Sequence, residues 1–160
     1  MSSCVFPGSF DPVTVGHMNV IERASAVFDT VHVIVMINVN KQGRIPVGDR
    51  IRILQKACSR FPNTVVDQWN GLLAEYMREH REKILIRGVR GLTEFDHEYT
   101  SALMNRQLND QFETLLIPSD PMLSAVSSSA VREIADFGGD IKELVPKECL
   151  KDIQAFLSKK

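Results

Sequence analysis

Apolar residues in this chain fall into two alternating patterns, short and nearly unbroken runs on one hand and helically spaced positions on the other. Val31–Asn38 reads VHVIVMIN, the β-branched run of a strand buried on both faces. Ser3–Phe6, Thr64–Trp69, Lys83–Val89 and Glu113–Pro118 are further strands by the same test. Gly16–Phe28 sets Val20, Ile21, Ala24, Val27 and Phe28 on one helical face, and Gly48–Arg60 does the same with Ile51, Leu54, Ala57, Cys58 and, just beyond, Phe61. Helices are also expected over Gly71–His80, from about Thr93 to Asn109, from Ser127–Ser129 onward, and over Lys147–Ser158. Strict alternation of strand and helix implies right-handed βαβ crossovers. The expected fold is a Rossmann-like doubly wound α/β domain, a five-stranded parallel sheet with helices on both faces. At 160 residues the chain is read as one domain over 1–160, large enough for its own core.

Such sheets bind ligands in a crevice beyond the carboxyl ends of their strands, and the unusual residues of this chain gather there. The loops after the five strands are PGSFDPVTVGH (7–17), NVNKQGR (38–44), NGLL (70–73), RGVRG (87–91) and PSDPMLSAVSSS (118–129). The first ends at a helix start, whose amides and dipole favour phosphate, with Ser9 and His17 beside it. Ser127, Ser128 and Ser129 offer a second such start, so a polyphosphate fits. Arg87 and Arg90 add planar forks suited to phosphate oxygens, and Lys41 adds a mobile charge.

Composition narrows the partners. A net charge of −1 excludes a general nucleic-acid binder, which needs a basic excess, so anions must be handled locally. No stretch approaches a membrane span. The start, MSSCVFPG, lacks a secretory signal pattern, and Cys4, Cys58 and Cys149 are scattered, so a cytoplasmic setting is expected with the cysteines as small buried hydrophobes. His32, His80 and His97 show no metal-ligand spacing, and Trp69, Tyr76 and Phe95 are expected in the core.

PGSFDPVTVGH, IRGVRG and SSSAVREIA together resemble the nucleotidylyltransferases, most closely the phosphopantetheine adenylyltransferase family, over nearly the whole chain. Thr14 in T-x-G-H is the discriminating detail, since related cytidylyltransferases more often carry histidine there. The resemblance implies transfer of the adenylyl group of ATP to 4′-phosphopantetheine with Mg2+, giving dephospho-coenzyme A and pyrophosphate, in a cytoplasmic homohexamer open to feedback inhibition by coenzyme A. It implies that His17 stabilises the transition state, with Lys41 and Arg90 as further catalytic residues. Ser9 and Phe10 would lie against both substrates, and Lys41, Leu73 and Arg87 would hold phosphopantetheine. Gly88, Val89, Arg90, Glu98 and the Leu123–Ser124–Ala125–Val126–Ser127–Ser128–Ser129 loop would enclose ATP. No metal ligand is expected from the protein.

The chain departs from the family pattern at Ser9 (usually threonine), Val15 (usually asparagine), the NVNK loop (no proline before lysine), His97 (usually tyrosine) and the non-aromatic Leu123–Ala125 segment, so altered adenine packing is expected. Two alternatives stand beside the adenylyltransferase: a related transferase with another phosphorylated acceptor, and a protein of the same fold that binds nucleotide with little turnover.

Overall fold

In the computed structural model, which describes residues 1–157, every expected strand forms. β1 (Ser3–Gly8), β2 (Thr30–Ile37), β3 (Thr64–Asn70), β4 (Ile84–Val89) and β5 (Glu113–Pro118) pair in parallel in the order β3-β2-β1-β4-β5. The chain starts at the centre, winds outward through β2 and β3, then returns to β4 and β5 on the other side. The reversal lies between β1 and β4, and a ligand crevice is expected above it.

The helices are α1 (Val15–Ser25), α2 (Val47–Cys58), α3 (Leu73–Glu79), α4 (Leu92–Leu108), α5 (Ser128–Asp136) and α6 (Leu150–Leu157). Two expected boundaries are corrected. The first helix stops at Ser25 because the Ala26 amide bonds back to Ala24 and Glu22, and this tightening takes Val27 out of the helical period, leaving it 73% exposed. The last helix is preceded by a separate 3-10 turn, Lys147–Cys149; Ser158 lies outside the described residues.

Strand periodicity divides the core in two. Cys4 and Phe6 of β1, Val31, Val33 and Val35 of β2 and Ile86 of β4 meet α1, α2, α5 and α6 in the main core. Val5, Ile34 and Leu85 point to the other face, where Ala74, Tyr76, Met77 and Phe112 join them as buried partners among the described residues. The short α3 packs on that face through Ala74, Tyr76 and Met77. Toward the carboxyl ends it stays open, and a cavity remains. All three cysteines are buried and free, and burial pushes the Cys4 and Cys58 thiols up to about 12 and Cys149 to about 11, so none is a reactive thiolate at neutral pH. Tyr76 is buried as expected, whereas Phe95 is 47% exposed on α4, a correction that follows from α4 burying only Glu98.

Candidate active site

The loop after β1 turns back over its own strand. Phe10 has a φ of +48°, a left-handed conformation uncommon outside glycine. Its ring is buried, and it packs edge-on against Phe6 at 5.7 Å and His17 at 4.9 Å. A Cβ on Gly8 would come within 3.1 Å of that ring, so the bare glycine is what lets the loop fold down. Phe10 thus supports His17 from the core with its ring.

Thr14 caps α1, and its hydroxyl accepts the His17 amide at 3.3 Å. The Thr14 amide in turn donates to Nδ1 of His17 at 3.0 Å, which closes a capping box. With Nδ1 an acceptor, the proton of the neutral ring sits on Nε2. Burial, reinforced by Arg87 and Arg90, pushes the His17 imidazole down to about 4 from its ordinary 6.5. The ring is therefore a neutral donor at physiological pH. Because the unfolded chain takes up this proton first as pH falls, the stability it contributes is complete above 6.5 and is lost as pH drops toward 4. An NMR titration of the His17 ring is expected to give a midpoint well below 6.5, moving upward when Arg90 is replaced by methionine; an ordinary midpoint would contradict this electrostatic setting.

Two cavities open above the sheet. The larger, about 730 Å³, is lined by Ser9, Lys41, Leu73, Arg87, Asn105 and Arg132 among others. The smaller, about 280 Å³, is lined by Ser9, Thr14, Gly16, His17, Gly88, Arg90 and Ser127–Ser129 with Val126. They share Pro7, Gly8, Ser9, Arg87 and Glu98, so a reacting pair could meet across that wall.

Arg87 is fixed on the shared wall. Its guanidinium donates to both Glu98 carboxylate oxygens at 2.9 and 2.8 Å and to the Pro7 carbonyl at 2.8 Å. Glu98 is buried and holds this fork; it also lines both cavities, so its place is broader than the nucleotide side expected for it. Arg90 is likewise held, by Glu94 at 2.9 Å, and donates to the Val126 carbonyl at 2.9 Å. Although burial pushes the Glu94 carboxyl up, its hydrogen bonds from Arg90 hold it below the usual carboxylate range. Glu94 was not foreseen as a site residue, though its position four residues after Arg90 at a helix start is the signal for such a pair.

The serine triplet divides its labour. Ser127 caps α5 by accepting the Ala130 amide at 3.0 Å, Ser128 donates to the Pro12 carbonyl at 2.7 Å, and Ser129 accepts from Arg132 at 3.3 Å. Among the described residues, the Ser128 and Ser129 amides have no partner in the protein and remain as anion donors. At α1 the Val15 amide is spent on the Leu144 carbonyl and the His17 amide on Thr14, so fewer free donors stand there than the sequence implies.

Val89, Leu123, Ser124 and Ala125 line neither cavity. Val89 spends its carbonyl on the Ser119 amide at 2.8 Å, Ser124 and Ala125 are exposed, and Leu123 borders a separate groove with Val15 and Met18. His97 is exposed and lines neither cavity. Asp11, Arg44 and Arg132, which line the larger cavity, were not singled out, because nothing local marks a residue whose partners lie tens of residues away. No cluster of His, Cys, Asp and Glu able to hold a metal occurs among the described residues, and no helix is long and apolar enough to cross a membrane.

The cytidylyltransferase-like family matches residues 5–134. Phosphopantetheine adenylyltransferase of Clostridium perfringens (strain ATCC 13124) is 42% identical over 154 residues, covering 96% of this chain and 94% of its own. The Clostridium tetani protein of that name is 41% identical over 153 residues, 96% of each chain. The Clostridium botulinum (strain Hall) one is 39% identical over 160 residues, 100% of this chain and 98% of its own. Among solved structures, a Vibrio parahaemolyticus protein described as a candidate nicotinate-nucleotide adenylyltransferase superposes with a TM-score of 0.69 at 14% identity, over 100% of this chain and 98% of that one; that likeness speaks for the fold alone.

Proposed function

Since the chain belongs to the phosphopantetheine adenylyltransferases of the cytidylyltransferase-like family, we propose how its two cavities transfer the adenylyl group of ATP to 4′-phosphopantetheine, forming dephospho-coenzyme A and pyrophosphate. ATP occupies the smaller cavity and phosphopantetheine the larger. The observation that carries this reading is their shared wall, where Ser9 and the fixed Arg87 fork belong to both.

Lys41 and Arg87 hold the acceptor phosphate, and Leu73 lines the pantetheine arm. His17, Arg90 and the free amides of Ser128 and Ser129 hold the ATP phosphates, with Gly88, Glu98, Val126 and Ser127 around the nucleotide in the smaller cavity. A phosphate oxygen of the acceptor attacks the α-phosphorus in line. The bond from that phosphorus to its bridging oxygen breaks, and pyrophosphate leaves with the electron pair. The attacking phosphate is already an anion at neutral pH, so no general base is needed. The protein's task is to bring two anions together and to meet the charge that grows on the α-phosphate oxygens. The neutral Nε2–H of His17 donates to that charge without carrying its own. Glu94 and Glu98 are both engaged by arginine forks, which fits Mg2+ held by ATP phosphates and water rather than by a protein cage. The ion supplies charge neutralisation on the triphosphate.

The chain acts as a single domain over 1–160 in the cytoplasm, where its three free thiols stay reduced. Exposed Phe95, Tyr99, Leu103, Met104 and Leu108 on α4, beside Leu115 on the edge strand, support a homohexamer that buries them. Coenzyme A, which carries the pantetheine arm and an adenine nucleotide, is expected to compete at both cavities and inhibit. The test is pyrophosphate release from magnesium-ATP with and without 4′-phosphopantetheine, with the product followed by mass. Acceptor-dependent pyrophosphate with matching dephospho-coenzyme A is expected; ATP binding without acceptor-dependent turnover would overturn the reading.

A further inference from the structure

The loop between β2 and α2 carries Lys41, yet it has no regular structure and its residues 41–44 are exposed. It is secured at both ends. At the β2 end, the Asn38 carbonyl accepts the Lys41 amide at 3.0 Å and the Asn38 side chain accepts the Asn40 amide at 3.0 Å. At the α2 end the anchor is Asp11, from a different loop. One Asp11 carboxylate oxygen accepts the Arg44 amide at 2.8 Å and the other accepts the Ile45 amide at 2.8 Å. Asp11 is 7% exposed, so these are charge-assisted bonds in a shielded place.

The packing around this anchor allows little slack. A Cβ on Gly43 would lie 3.0 Å from an Asp11 carboxylate oxygen and 3.0 Å from an Arg50 nitrogen, so the loop presses onto the carboxylate with nothing between. Arg50 ties the Ile45 carbonyl at 2.9 Å to the Ser9 carbonyl at 2.9 Å. Arg132 of α5 donates to the Asp11 carbonyl at 2.6 Å. Arg44 reaches outward to Asp136 at 2.6 and 2.9 Å. Asp11 therefore stands where the Ser9 loop, the Lys41 loop and the helix that begins at Ser128 are joined.

We infer that Asp11 is a positioning residue for the acceptor phosphate: its carboxylate fixes the register of the Lys41 loop against the Ser9 loop and so sets where the Lys41 ammonium stands in the larger cavity. This rests on the reading that Lys41 holds that phosphate. Asp11 lines the larger cavity and not the smaller, and both amides that its carboxylate accepts, of Arg44 and Ile45, belong to the Lys41 loop, while the link to α5 runs through its backbone carbonyl. Its effect is thus specific to one substrate.

Asp11→Asn keeps the shape but sets an NH2 against one of the two amide donors. The variant is expected to raise the KM for phosphopantetheine about tenfold, about the loss of one hydrogen bond to a charged group, with the KM for ATP unchanged. Lys41→Ala is expected to raise the same KM, and adding Asp11→Asn to it is expected to cost nothing further, because the carboxylate acts through the lysine. If Asp11→Asn raises both KM values alike, or if its effect adds in full to Lys41→Ala, Asp11 has no such role. If Lys41→Ala leaves the acceptor KM unchanged, the assignment of Lys41 fails first and this inference with it. Should Asp11→Asn not fold, as judged by its melting curve, Asp136→Asn loosens the same anchor from the surface through Arg44. A rise of about threefold in the acceptor KM, in keeping with an exposed ion pair, is then expected, and none would overturn the inference.

Discussion

Replacing His17 by alanine is expected to lower kcat about 10²–10³-fold, the typical loss when one preorganised donor to a developing oxyanion is removed, while the KM for ATP changes far less. The asymmetry follows from the chemistry. The Nε2–H meets an α-phosphate that is already anionic in the ground state, and the bond strengthens as charge accumulates during the displacement. Alanine also removes half of the capping box, leaving the Thr14 amide without its Nδ1 acceptor, so stability falls too. His17→Gln separates the two effects. Glutamine at this position of a helix can accept the capping amide again, but it offers no ring donor at the Nε2 position. Its melting temperature is expected to recover toward that of the parent while kcat stays low. Equal losses in ATP binding and turnover would show that His17 serves the fold and not the transition state.

Arg87→Ala is expected to lower kcat/KM for phosphopantetheine more than about a hundredfold, because two penalties add. The acceptor phosphate loses a cation, and Glu98 is left as a shielded carboxylate facing an anion's seat. Its two hydrogen bonds from Arg87, at 2.9 and 2.8 Å, are what mask that charge in the parent protein. Glu98→Ala added to Arg87→Ala removes the unpaired charge and is expected to recover part of the lost acceptor affinity, although it deletes a second side chain. Simple additivity in this cycle would mean that the pair is not coupled through the site. Denaturation of the single variant alongside separates lost stability from lost binding.

The placement of the loop residues was largely legible in the sequence because it is local. PGSFDPVTVGH shows a strand exit, a cap and a helix start within eleven residues, and His17 proves to lie where such a start must present it. Ser9, Gly88, Arg90 and the serine triplet likewise stand at carboxyl ends of strands, as a doubly wound sheet requires. What each charged group does there was not legible. The forks of Arg87 and Arg90 looked free for phosphate, but Glu98 and Glu94 already hold them. Nor does the sequence mark the left-handed turn at Phe10 that sends its ring into the core beneath His17.

By itself, then, the sequence determined the alternation of elements, the parallel sheet and the end of it that carries the chemistry, since these follow from hydrophobic period and from which residues can start a helix or leave a strand. Only the tertiary structure decided the partnerships: the Nδ1 cap that fixes the His17 tautomer, the carboxylates that aim the arginines, and Asp11 gathering amides from 33 and 34 residues away. Side-chain hydrogen bonds across such separations depend on distance in space, and the period of a chain carries no record of which loops will meet once its strands are laid side by side.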